Sequence, residues 1–196
     1  ALEWVKNNIA AFGGDGNNIT LMGQSAGSNL VQFAMVSPKT QGLIKNVVAC
    51  SHNTMASNPA AVTTRAKSGN SLGSLDELRA LPAEELEKKY ESNFALVLSC
   101  ISVCNDGVYV DDALGSALKK GRAADVNLIT GMVWDKEENN GNNDSQFAGP
   151  AVNGLTTGEL LVANLNTEAK ARRDGNAKGK TYIYIFAHAL SGPETN

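Results

Sequence analysis

Residues 18–37 read NITLMGQSAGSNLVQFAMVS, and the reading of this stretch decides the fold. Its first part, Asn18 to Gly23, has the short, apolar, β-branched make-up of a buried strand. Its last part, from Ser28, sets Leu30, Val31, Ala34 and Met35 at helical spacing, and Pro38 closes it. No loop separates the two. The junction is Gly23-Gln24-Ser25-Ala26-Gly27, a G-x-S-x-G pattern, so the chain is predicted to turn sharply from strand to helix with Ser25 at the corner.

Such a corner forces the serine into a strained backbone conformation. It works only where the flanking residues are small enough for strand and helix to approach, as Gly23, Ala26, Gly27 and Ser28 are. The same turn sets the backbone N–H of Ala26 at a helix N-terminus, where it can donate to a developing oxyanion beside Ser25. The competing reading is a glycine-rich β-to-α turn that packs tightly or binds phosphate. Against the phosphate form, the turn carries neither G-x-G-x-x-G nor a Walker lysine.

Working outward, ALEWVKNNIAAF (1–12) predicts an amphipathic helix with Leu2, Val5, Ile9 and Phe12 near one face, and FGGDGNN (12–18) is a dense turn signal. Downstream, GLIKNVVACS (42–51) reads as a second parallel strand after a helical crossover. Residues 70–90 predict two short helices, with Asp76 as an N-terminal acid and Pro82 at N1, inside a helical excursion over about 52–93. FALVLSCISVC (94–104) fits a strand or a buried helix. A helix over 113–121 closed by Gly121, a strand over 126–134, a polar loop over 135–149, a helix and turn over 156–180 and a strand over 181–188 complete the chain. This alternation predicts an α/β fold, a mostly parallel sheet flanked by helices, in one domain over 1–196.

The 196 residues are 42% hydrophobic and 19% charged, with a formal net charge of −3 and scattered basic residues, so there is no basic field to attract nucleic acid. No apolar run reaches the roughly 18 residues of a membrane span. Cys50, Cys100 and Cys104 fit buried thiols better than a disulfide scaffold. His52 and His188, neither beside a cysteine cluster, give a structural zinc site little to build with. Asn143-Asp144-Ser145 is a nominal glycosylation sequon whose use depends on a compartment the sequence does not assign.

ALEWVKNNIAAFGGDGNNITLMGQSAGS (1–28) resembles the type-B carboxylesterases, the family of cholinesterases and bacterial para-nitrobenzyl esterases, across its helix, FGGD turn, strand and serine elbow. Gly16 stands where that family usually has proline. Weaker likenesses follow in KTQGLIKNVVACS, LRALPAEEL, DGVYVDD, GRAADVNLITG and TYIYIFAHALSGPE. The resemblance implies an α/β-hydrolase fold, hydrolysis of a small-molecule ester through a Ser, Glu, His triad, and no metal or organic cofactor.

Ser25 matches the nucleophile position. The family's acid lies in a G-x-x-x-D-E pattern after a strand; in GMVWDKEE (131–138) Asp135 matches the aspartate, but Lys136 stands where the glutamate should fall. A one-residue insertion brings Glu137 into the role, with Asp135 and Glu138 as rivals, and a solvated acidic loop as the plain alternative. His188 resembles a histidine that precedes the family's base, so both it and His52 read as structural. By the same resemblance, the Gly-Gly oxyanion loop belongs before residue 1 and the catalytic histidine after residue 196. The expectation is a fold incomplete at both ends, a fragment of a longer esterase that is nearly inactive in isolation. A non-catalytic binding or adhesion relative on the same fold, and another serine hydrolase such as a lipase or thioesterase, stay open.

Overall fold

The computed structural model describes residues 1–51, 73–94, 103–133 and 157–186. In chain order these form α1 (Leu2–Asn8) with a 3-10 turn at Ile9–Phe12, β1 (Thr20–Gln24), α2 (Ala26–Val36), β2 (Asn46–Cys50), α3 (Leu75–Ala80), α4 (Ala83–Ser92), α5 (Leu114–Lys119), β3 (Asn127–Val133), α6 (Thr157–Asp174) and β4 (Thr181–Phe186). The strands form one parallel sheet in the order β1-β2-β3-β4. All four C-terminal ends therefore lie along one edge, the edge at which open parallel sheets gather their functional groups.

Alternation along the strands divides the sheet into two faces. On one, Val47 and Ala49 of β2 and Leu128 of β3 are buried with Phe33, Met35 and Val36 of α2, Leu114, Ala117 and Leu118 of α5, and Ala171 of α6. This is the core, and the helices pack to it because each presents an apolar stripe to strands rich in β-branched residues. The other face carries Met22, Ile129 and Tyr182, all exposed. There Gly131 lies under Tyr184: a Cβ at Gly131 would collide with the Tyr184 ring and carbonyl. The ring reaches Cys50, and burial, followed by the hydrogen bond with that thiol, pushes the phenol up to about 12.

Several helical details differ from the sequence reading. The opening helix tightens to 3-10 geometry at Ile9, and Phe12 is 74% exposed, stacked at a tilt on Trp4 with ring centroids 6.5 Å apart. Gly13, at φ 81°, ends the turn before Phe12 could rotate toward the core. In α2, Leu30 is exposed and the buried face is Ser28, Gln32, Phe33, Met35 and Val36, so of the four residues at apolar spacing Met35 is buried, and two polar residues outside that spacing share its face. Pro82 is the N-cap of α4 rather than its first residue. Asp76 does stand in the first turn of α3, where Ser74 and Glu77 form a capping box. The loop over 135–149, the sequon and most of 94–104 lie outside the described residues, and so does Cys100. Cys50 and Cys104 are thiols rather than halves of a disulfide.

Candidate active site

β1 ends at Gln24 and α2 begins at Ala26, leaving Ser25 alone between them. Its backbone belongs to both elements. The Ser25 N–H donates to the Cys50 carbonyl at 3.0 Å, a last rung of the sheet. Its carbonyl accepts from Ser28 N at 3.0 Å and Asn29 N at 3.3 Å, the first rungs of the helix. Serving both ladders within one residue requires a reversal that ordinary backbone angles do not provide. Ser25 accordingly sits at φ 54°, ψ −119°, a region costing a non-glycine residue on the order of 1–3 kcal/mol.

The neighbours make that reversal possible. A Cβ on Gly23 would overlap the carbonyl of Gly27 and the amide of Ser28, so α2 can lie this close to β1 only over a glycine. Ser25 itself is exposed and its side chain makes no capping bond to the helix. Ala26 is the first helical residue, whose N–H has no carbonyl four residues back within its own helix. Ser51 repeats the device one strand over, at φ 54° after the end of β2, with its N–H donating to the Gly131 carbonyl at 2.7 Å.

Of the other residues singled out in the sequence, β3 ends at Val133 on the same sheet edge as Ser25. Glu137 follows four positions later, and it lies outside the described residues with its rivals Asp135 and Glu138. His188, two positions after β4, and His52, one after Ser51, also lie outside them.

The sequence reading missed a buried polar cluster behind the elbow. Gln32, Thr130 and Glu168 are each 0% exposed and Arg172 is 2% exposed. Thr130 Oγ1 donates to Glu168 Oε2 at 3.4 Å, and Gln32 also hydrogen-bonds the Glu168 carboxylate. Burial pushes Glu168 up to about 7, against the opposing pull of Arg172 and of the Thr130 and Gln32 bonds. Burial likewise lowers Arg172, which donates from Nε to Thr181 Oγ1 at 2.9 Å and from its terminal nitrogens to the carbonyls of Ala123 and Val126. TEAKARRD (167–174) lies in the helix predicted within 156–180, and an acid four residues before a base is a pair that exposed helices commonly carry. The available signal was spacing: Leu165, Glu168, Ala171 and Arg172 fall on one stripe of α6.

The profile of the Carboxylesterase family matches residues 1–148. Over 93 residues, 45% of the chain, the sequence is 39% identical to the para-nitrobenzyl esterase of Bacillus subtilis (strain 168), covering 19% of that protein. Over 49 residues, 25% of the chain, it is 55% identical to human bile salt-activated lipase, covering 6% of that protein. Among solved structures, the Geobacillus stearothermophilus carboxylesterase EST55 at pH 6.8 superposes on 97% of the chain with a TM-score of 0.67 at 24% identity. A thermophilic para-nitrobenzyl esterase superposes on 95% with a TM-score of 0.68 at 20% identity. The chain spans just under half of each, 47% and 45%. From these matches and from the parallel sheet with Ser25 at its carboxyl edge, the chain belongs to the carboxylesterase family and has its α/β-hydrolase fold.

Proposed function

We propose that this chain carries the nucleophile of a carboxylic-ester hydrolase, the serine acyl-enzyme type, acting on small-molecule esters. The observation that carries the reading is the backbone of Ser25, held at φ 54° as the last rung of a sheet and the first acceptor of a helix, with its side chain exposed. Strain of that kind is kept where it aims a reacting group.

In this reading Ser25 Oγ attacks the ester carbonyl carbon, forming a C–O bond as its proton passes to the family's catalytic histidine and the carbonyl electron pair moves to oxygen. The Ala26 N–H donates to that oxyanion, a contact worth about 2.7–4 kcal/mol of barrier when such a donor is lost elsewhere. Collapse reforms the carbonyl, expels the alcohol with the proton the histidine returns to it, and leaves an acyl-Ser25, which water then cleaves to the acid and a free Ser25 hydroxyl. Glu137 is the acid that orients the family's catalytic histidine. Neither His52 nor His188 is assigned as that histidine. The family membership and the esterase and lipase relatives support this chemistry over phosphate binding at the same turn.

The test is covalent. A fluorophosphonate probe applied to the natural protein that carries these residues is expected to label the peptide containing Ser25, and Ser25→Ala to abolish the label. A folded protein with Ser25 unlabelled would leave a non-catalytic binding relative as the reading.

A further inference from the structure

The elbow needs α2 held in place from behind as well as shaped from below. Gly23, Ala49, Thr130 and Ile183 are register partners in one row across the sheet, and α2 passes over the Gly23 end of that row. At the Thr130 position, Glu168 comes in from α6 and engages both Thr130 and Gln32 of α2. Gln32 stands one turn beyond Ser28, so the carboxylate is tied to the helix that Ser25 begins. We propose that Glu168 is a positioning residue for the nucleophile elbow, fixing α2 through Gln32 against β3 through Thr130, so that its protonation state is felt at Ser25. This rests on the reading of Ser25 as nucleophile only for its catalytic consequence; the mechanical link stands on the cluster itself.

Why a carboxylic acid serves here follows from what surrounds it. Gln32 reaches it from α2 and Thr130 from β3, while the buried residues of α5 are Leu114, Ala117 and Leu118. From β4, Thr181 is bound to Arg172 instead. Among the described residues, Arg172 is thus the one charged group buried with Glu168. A carboxyl in such a site can switch between accepting only and accepting with one donated bond, and each state fits Gln32 and Thr130 differently. A helix start displaced by about 1 Å is enough to cost 10²-fold in an acyl-transfer site.

The experiment follows the elbow amides and the carboxyl separately. Carbon-labelled glutamate reports the Glu168 carboxyl by NMR between pH 5 and 9, and nitrogen labelling reports the amides of Ser25 to Asn29. The expected result is a shared midpoint near the Glu168 value in the wild type. Glu168→Gln loses the elbow titration, and Gln32→Leu keeps the carboxyl titration but disconnects the amides from it. Elbow amides that ignore the carboxyl, or that still titrate in Glu168→Gln, overturn the proposal; if Glu168→Gln does not fold, Gln32→Leu decides it. In the natural protein, fluorophosphonate labelling should slow about tenfold in Glu168→Ala and recover in part in Glu168→Asp. Coupled amides with no labelling in the wild type would sink the nucleophile reading and leave the link intact. Labelling at full rate in a folded Glu168→Ala protein would sink the link and leave the nucleophile.

Discussion

Gly23, in β1, faces the backbone carbonyl of Gly27, in α2, so closely that no Cβ fits between them. Both partners are main chain, so nothing flexible can yield, and a methyl group must push the helix off the strand. Gly23→Ala is expected to lower stability by about 2 kcal/mol or more, the upper part of the usual cost of overpacking. It should also slow fluorophosphonate labelling of Ser25. Denaturant unfolding beside labelling kinetics measures both effects, and an alanine variant as stable and as reactive as the wild type would contradict the close approach.

Ser25 itself opposes stability to function. Its φ of 54° is natural to glycine and strained for serine. Ser25→Gly should therefore raise stability by about 1 kcal/mol while ending all labelling. Ser25→Ala should end labelling without that gain, because alanine keeps the strain. A comparison of unfolding midpoints for the two variants separates backbone relief from loss of the hydroxyl.

The Glu168 carboxyl makes stability depend on pH with a definite sign. Burial raises it from 4.5 to about 7, so between those values the folded state holds a proton that the unfolded state releases. The stabilisation is complete below about pH 4.5 and fades as pH rises through about 7, for an order-of-magnitude loss of about 3 kcal/mol. Unfolding followed from pH 5 to pH 8 should show this decline in the wild type and a flatter profile in Glu168→Gln.

The leucines of the sheet and of α2 give a paired test of where the core lies. Leu128 is 0% exposed at the centre of the core, and Leu128→Ala should cost about 2–5 kcal/mol. Leu30 is 61% exposed, and Leu30→Ala should stay within about 0.5 kcal/mol. Urea midpoints of the two variants check the difference.

That pair also marks what the sequence disclosed. Strands at 20–24, 46–50, 127–133 and 181–186 were legible because β-branched runs between turn residues have few other uses. The strand-to-helix corner was legible because glycine at 23 has a steric reason, whereas a Cβ at Gly27 would meet open space. The inward face of α2 was not. Gln32 is buried with a polar partner on a distant segment, and hydrophobic period cannot register a partner that lies far along the chain, as Glu168 does. Phe12 failed in the opposite sense: its spacing was right, but the turn at Gly13 arrives first. Ser25 and Ala26 stand where the pattern put them, at the end of a strand and the start of a helix, while Glu137 lies outside the described residues.

The sheet order, β1-β2-β3-β4, equals the order of synthesis. Each strand leaving the ribosome finds its hydrogen-bonding neighbour already made, so the sheet can grow by addition at one edge. Strands added in the direction of translation pair with the nearest preceding strand along the chain, and such pairing is spared long waits for distant partners. The backbone bonds of the elbow at Ser25, between β1 and α2, then need only β2, whose Cys50 carbonyl accepts the Ser25 N–H, and neither β3 nor β4.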